Sequence, residues 1–142
     1  MSIFKSLATP EQLNGFNRNH LGQALGIEIT EIGVDFVRGT MPVDDRTRQP
    51  FGLLHGGASV ALAESLGSVA GGLAVDLEKF SVVGLEINAN HIKGKRDGVV
   101  TGTARPLHVG RSTQVWEIRI VDEVDALICI SRITLAVVPK AR

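Results

Sequence analysis

The stretch from Gln49 to Gly72, QPFGLLHGGASVALAESLGSVAGG, constrains the fold most. Between Gly52 and Val75 its only formally charged side chain is Glu64, and Ala58, Ser59, Ala61, Ala63, Ser65, Gly67, Ser68 and Ala70 are all small. Small residues let a helix lie close to a sheet. Val60, Leu62, Leu66, Val69 and Leu73 surround the axis instead of forming one stripe, which predicts a helix covered on most sides. The chain enters it through Pro50, Gly52, Gly56 and Gly57, so the helix is expected to start between His55 and Ala58 with free backbone N–H groups. Those donors and the positive end of the helix dipole favour an anion or an oxyanion. Glu64 lies about two turns further in, where a carboxylate must be paired, hydrogen-bonded or poised for chemistry. Two plainer readings compete. About 20 apolar residues span a bilayer, but Glu64, His55 and the glycines oppose a membrane span. Glu64 as a structural acid, paired with an Arg or Lys of another element, stays open.

The 142 residues suit one domain, 1–142, with a core that needs no staples. Fifteen basic and fifteen acidic side chains cancel, which argues against nucleic acid or an anionic membrane surface as a partner. One cysteine, Cys129, allows no internal disulfide and no thiolate metal cluster. The N-terminus, MSIFKSLATPEQ, has no apolar run with a cleavage site, so a cytoplasmic location is expected.

Thr9-Pro10-Glu11-Gln12 predicts a capped helix running to about Asn19. Leu25, Ile27 and Ile29 alternate with Gly26, Glu28 and Thr30, and Phe36 to Val43 is extended in character, which together read as a hairpin. Asp44 to Arg48 is a polar loop that delivers Gln49 to the mouth of the helix. Four strands are expected beyond the helix, at about 81–92, 98–108, 112–122 and 126–138. In the first of them Val83, Leu85, Ile87 and Ala89 alternate with Gly84, Glu86, Asn88 and Asn90, predicting one buried face. Short turns separate the strands and favour antiparallel neighbours. The order predicts an α+β domain with one antiparallel sheet curled around the central helix. Such a sheet leaves edges, and pairing with a second copy is the usual remedy.

Gln49, the His55–Gly56 backbone and Glu64 are the candidate reacting groups. At a rise of about 1.5 Å per residue, Glu64 stands about 12 Å along the axis from Gly56, too far for both to meet one substrate atom. A two-fold dimer with antiparallel helices would unite the N-terminus of one helix with the carboxylate of the other. The pair suits acyl transfer to water: N–H groups hold the oxyanion while the carboxylate attacks or activates water, with no metal. Ser68, on the same face as Glu64, would orient it or the water, or simply pack. His55 suits a supporting role at the helix start. His91 and Lys93, with Lys95 and Arg96 close by, form either a solvated loop or a clamp on the phosphates of an anionic carrier, and Arg111 is a weaker candidate for that role.

At these residues the sequence resembles the hotdog-fold acyl-CoA thioesterases, in the branch that holds hydroxybenzoyl-CoA, phenylacetate-pathway and dihydroxynaphthoyl-CoA thioesterases. The resemblance covers nearly the whole chain: Met41-Pro42-Val43, Gln49 to Ala58, Ala61 to Ser68, Val83-Gly84 with Glu86 and Asn88-Ala89, and Pro106-Leu107-His108 with Gly110-Arg111. It is strongest toward the thioesterases of bacterial quinone and siderophore pathways that act on dihydroxynaphthoyl-CoA and dihydroxybenzoyl carriers. The resemblance implies that Glu64 is nucleophile or general base and that the Gly56 N–H is the oxyanion donor. It further implies that Gln49 and His55 place the carbonyl or water, and that Ser68 is a hydroxyl partner from the subunit carrying Glu64. His91 and Lys93 fall where the family contacts the nucleotide of coenzyme A, with lysine standing where relatives often have arginine. The residues from Gly71 to Phe80 differ from those of the relatives, and the resemblance implies that they border the acyl pocket, so acyl preference is not carried over.

The expectation is thus a homodimer with shared sites, paired further into a homotetramer, that hydrolyses an aromatic or similar small-molecule acyl-CoA with no cofactor beyond the coenzyme A of its substrate. A hydratase on the same fold would place an Asp/His pair on the helix, where this chain has Glu64 and no following histidine. A non-catalytic acyl-CoA binding module is the alternative of a different class.

Overall fold

The computed structural model describes residues 1–141. Its elements are α1 (Pro10–Phe16), α2 (Leu21–Leu25), β1 (Glu28–Ile32), β2 (Val37–Pro42), α3 (Gly56–Leu73), β3 (Phe80–His91), β4 (Val99–Val109), β5 (Thr113–Val121) and β6 (Leu127–Pro139). The six strands form one sheet in the order β1-β2-β4-β5-β6-β3, and every neighbouring pair is antiparallel. α3 packs on β2, β3, β4, β5 and β6, which is the α+β arrangement expected of a hotdog fold.

Small residues set the closeness of that packing on both layers. A Cβ at Gly39 or Gly102 in the sheet would stand 2.8 or 2.7 Å from a methyl of Leu66. A Cβ at Gly67 or Gly71 in the helix would stand 2.6 or 2.3 Å from Ile133 or Leu135. Leu62, Leu66, Trp116, Ile118, Ile120, Ile133 and Leu135 are sealed between the layers. The Gln114 side chain, buried beside Trp116, is satisfied: its amide accepts from Trp116 Nε1 at 2.8 Å and donates to the Gly71 carbonyl at 3.3 Å.

Three local expectations need correction. α1 has the Thr9–Gln12 capping box but ends at Phe16, and the Leu25 end of the supposed strand belongs to α2. Gly26, at φ 75°, closes α2 in the left-handed region, so β1 starts only at Glu28. In β3 the register shifts between Gly84 and Glu86, leaving Leu85 as a bulge. The bulge changes the phase of the alternation. Val82, Ile87 and Ala89 pack against the core, while Val83 and Leu85 are 47% and 60% exposed. α3 is covered on most sides, as its sequence predicts, with one less covered strip: Gly57 and Glu64 are exposed and Ala61, Ser65 and Ser68 half-buried. That strip is the open face of the helix in the single chain. No described helix is long and apolar enough to cross a membrane.

Candidate active site

The loop before α3 is built to present the start of that helix. Phe51 N–H donates to Gln49 Oε1 at 2.5 Å, and Gln49 N–H donates to the Leu53 carbonyl at 2.8 Å. Because a backbone N–H requires an acceptor, the amide oxygen of Gln49 is engaged locally and its NH2 is the group left for a ligand. His55 caps the helix: its Nδ1 accepts the Gly57 N–H at 2.8 Å, so the neutral ring carries its proton on Nε2. Ala58 and Ser59 N–H groups both donate to the His55 carbonyl. Of the first four helical N–H groups, only that of Gly56 has no partner among the described residues.

Gly56 opens onto a cleft of about 260 Å³ that Gln49, His91 and Lys93 also line, with Leu53, Leu54, Ser59, Ile92, Gly94 and Ile128. His91 sits at the helix start, since a Cβ at Gly56 would lie 2.8 Å from its Nε2. Lys93 stands at the mouth, 58% exposed, with its Nζ 3.6 Å from Asp122 Oδ2. Asp122 is nearly buried at the β5–β6 turn. Its carboxyl is held below the usual range by the N–H groups of Ala126 and Val124 and by Lys93. Lys95 next to it pairs with Glu123 at 2.5 Å. The sequence reading missed these acids, although Asp122 and Glu123 open a turn that faces the lysines across the sheet.

Glu64 and Ser68 lie elsewhere, in an open groove of about 480 Å³ with Leu21, Gly57, Val60, Ala61 and Ser65. Glu64 makes no ion pair or hydrogen bond among the described residues, so the reading of a structural ion pair finds no partner among them. It rests beside β3, where a Cβ at Gly84 would come 3.2 Å from its Oε2. The groove continues toward His55 through a hollow of about 290 Å³ that shares Leu21, Gly57 and Ala61 with it. Arg111 is not brought to either place. It lines a separate hollow of about 280 Å³ with Lys5, Asp76, Phe80 and Gln114, next to Ala74 at the far end of α3.

One chain thus carries two separate groups of candidate residues: a backbone donor with polar and cationic neighbours, and, on the open face of the same helix, a carboxylate with no partner among the described residues. Residues 51–129 match the family model described as the thioesterase superfamily. The 1,4-dihydroxy-2-naphthoyl-CoA hydrolase of Escherichia coli is 53% identical over 135 residues, covering 95% of this chain and 98% of that protein. The proofreading thioesterase EntH of Cronobacter turicensis is 51% identical over 135 residues, with coverage of 95% and 98%. The crystal structure of a mutant thioesterase from Pseudomonas aeruginosa superposes with a TM-score of 0.96 at 50% identity, covering 98% of this chain and all of that one. An identity of half or more, held over almost the entire length and matched by the same backbone, places the chain in the thioesterase superfamily as a thioester hydrolase of the hotdog fold.

Proposed function

We propose that the protein is an acyl-CoA thioesterase for aromatic acyl groups, with Glu64 as nucleophile or general base and the Gly56 N–H as oxyanion donor. The observation that carries this is the unpaired Gly56 N–H in a cleft with Gln49, His91 and Lys93, on the same helix as an unpaired Glu64. A hydrogen bond aimed at the developing oxyanion is stronger in the transition state than in the ground state, and so lowers the barrier. The two relatives named for a dihydroxynaphthoyl-CoA hydrolase and a proofreading thioesterase support the substrate class. Coenzyme A comes with the substrate, and no further cofactor enters the proposal. Gln49 and His55 position the carbonyl and water, Ser68 steadies Glu64, and His91 and Lys93 meet the nucleotide end. Arg111 belongs to this proposal only through its charge, as an outlying phosphate contact.

The two groups are half-sites that a second copy completes. β3 is an edge strand of 12 residues with Val83 and Leu85 exposed, the kind of edge that invites pairing. Gly84 lies at Glu64 and His91 at Gly56, so the partner's Glu64 reaches Gly56 when the partner's Gly84 lies opposite His91. With Leu85 bulged out, that register places Asn88 on the two-fold axis and keeps facing residues on the same side of the sheet. Pairing removes water from Glu64. Two such dimers form the homotetramer of the proposal, acting in the cytoplasm.

The test is thiol release from aromatic, short and long aliphatic acyl-CoAs by wild type and Glu64→Gln. The variant is expected to lose at least about a hundredfold in kcat with the assembly intact. Near-normal turnover by the variant would remove Glu64 from the mechanism.

A further inference from the structure

We propose that the Ser59 hydroxyl binds the thiol-bearing arm of the substrate, at the cysteamine amide two carbons from the sulfur. This rests on the hydrolysis proposed above.

Ser59 is only 2% exposed, yet it lines the cleft at Gly56. Its hydroxyl has no hydrogen-bond partner among the described residues. Ser65, on the same helix, shows the usual alternative, donating to the Ala61 carbonyl at 2.7 Å. No fully sealed side-chain polar atom lacks a partner among the described residues, so the unpaired Ser59 hydroxyl opens onto the cleft. A hydroxyl with no partner among the described residues and open to the cleft is free to meet a polar group of a ligand lying there.

The layout of the cleft decides which part of the ligand that is. With the thioester carbonyl on the Gly56 N–H, the acyl carbon faces the Glu64 of the second copy. The arm on the sulfur then has this cleft for its route toward Lys93, between Leu53, Leu54, Ile92 and Ile128. Ser59 lies three residues from Gly56, about 4.5 Å along the axis on the same helix face. Two carbons and a sulfur span a similar length, which brings the first amide of the arm to the hydroxyl. A serine hydroxyl both donates and accepts, so it can serve either the carbonyl or the N–H of that amide.

The test uses one acyl group on three thiols: coenzyme A, N-acetylcysteamine, which keeps the first amide, and ethanethiol, which lacks it. In Ser59→Ala the ratio of kcat/KM for the N-acetylcysteamine ester over the ethanethiol ester is expected to fall about tenfold. Lys93→Ala is expected to leave that ratio alone and to lower the ratio for coenzyme A over N-acetylcysteamine. An unchanged first ratio in Ser59→Ala, whether both esters suffer equally or neither does, overturns the contact. Wild type inactive on all three esters would overturn the hydrolysis itself. The ratio is internal to one preparation, and alanine is a better helix former than serine, so loss of fold does not imitate the result.

Discussion

Glu123 holds the loop that carries Lys93. Its Oε1 accepts Lys95 Nζ at 2.5 Å and its Oε2 accepts the Val99 N–H at 3.0 Å, which ties the β3–β4 loop to the β5–β6 turn. The lysine first, then the backbone donor, lower the carboxyl from 4.5 to about 2. A carboxyl whose value falls on folding stabilises the fold above its unfolded value and loses that effect as pH falls toward its folded one. The clamp is therefore complete above about pH 4.5 and released as pH falls toward 2. Glu123 is half-exposed, so solvent screens the pair, its contribution to overall stability is small and the effect is local. Carboxyl NMR is expected to show Glu123 titrating with a midpoint near 2 in the wild type and moving back toward 4.5 in Lys95→Ala. A midpoint unmoved by Lys95→Ala would show that the lysine does not hold it.

At the scale of elements, β3 departs most from the pattern of its own sequence. The alternation of Val83, Leu85, Ile87 and Ala89 is regular, and nothing in it marks Leu85 as a bulge. The bulge comes from pairing with β6, where Gly84 faces Leu135 and Glu86 faces Thr134, and pairing across a sheet is absent from a local pattern. The helix start was legible because Pro50 and the glycines punctuate it, and the four C-terminal strands because turn residues separate them. α2 was hidden for the opposite reason: Leu25, Ile27 and Ile29 also fit a strand, and only the left-handed Gly26 divides them. Of the proposed site, Gln49, Gly56 and Glu64 were visible as polar or glycine positions in an apolar stretch. Ser59 was not, because a small helix residue reads as packing until the cleft beside it is known. The Asn88 register makes β3 testable. Asn88→Cys is expected to give a covalent dimer on mild oxidation, since residues facing each other across antiparallel strands stand close enough for a disulfide. Cys129 does not compete, being buried, with its thiol pushed up by that burial. A variant that stays monomeric under denaturing gel conditions after oxidation would exclude this register.

For the whole molecule, what matters is which chain supplies which group. Gln49 and Glu64 line different hollows of one chain, so a chain lacking either one still carries the other half-site intact. In a two-fold dimer with shared sites, each site takes Gln49 from one chain and Glu64 from its partner. A dimer of one Glu64→Ala chain and one Gln49→Ala chain then contains one unaltered site and one doubly altered site. Random exchange of equal amounts makes about half of the dimers mixed, so about a quarter of the wild-type sites return. Each variant alone is expected to be poorly active, and mixing after mild unfolding and refolding should restore about a quarter of the wild-type rate. Sites formed within one chain would give no recovery at any ratio, because every such site would carry one of the two substitutions. The measurement thus separates shared sites from sites within a chain even where both assemble as dimers, which scattering alone does not do.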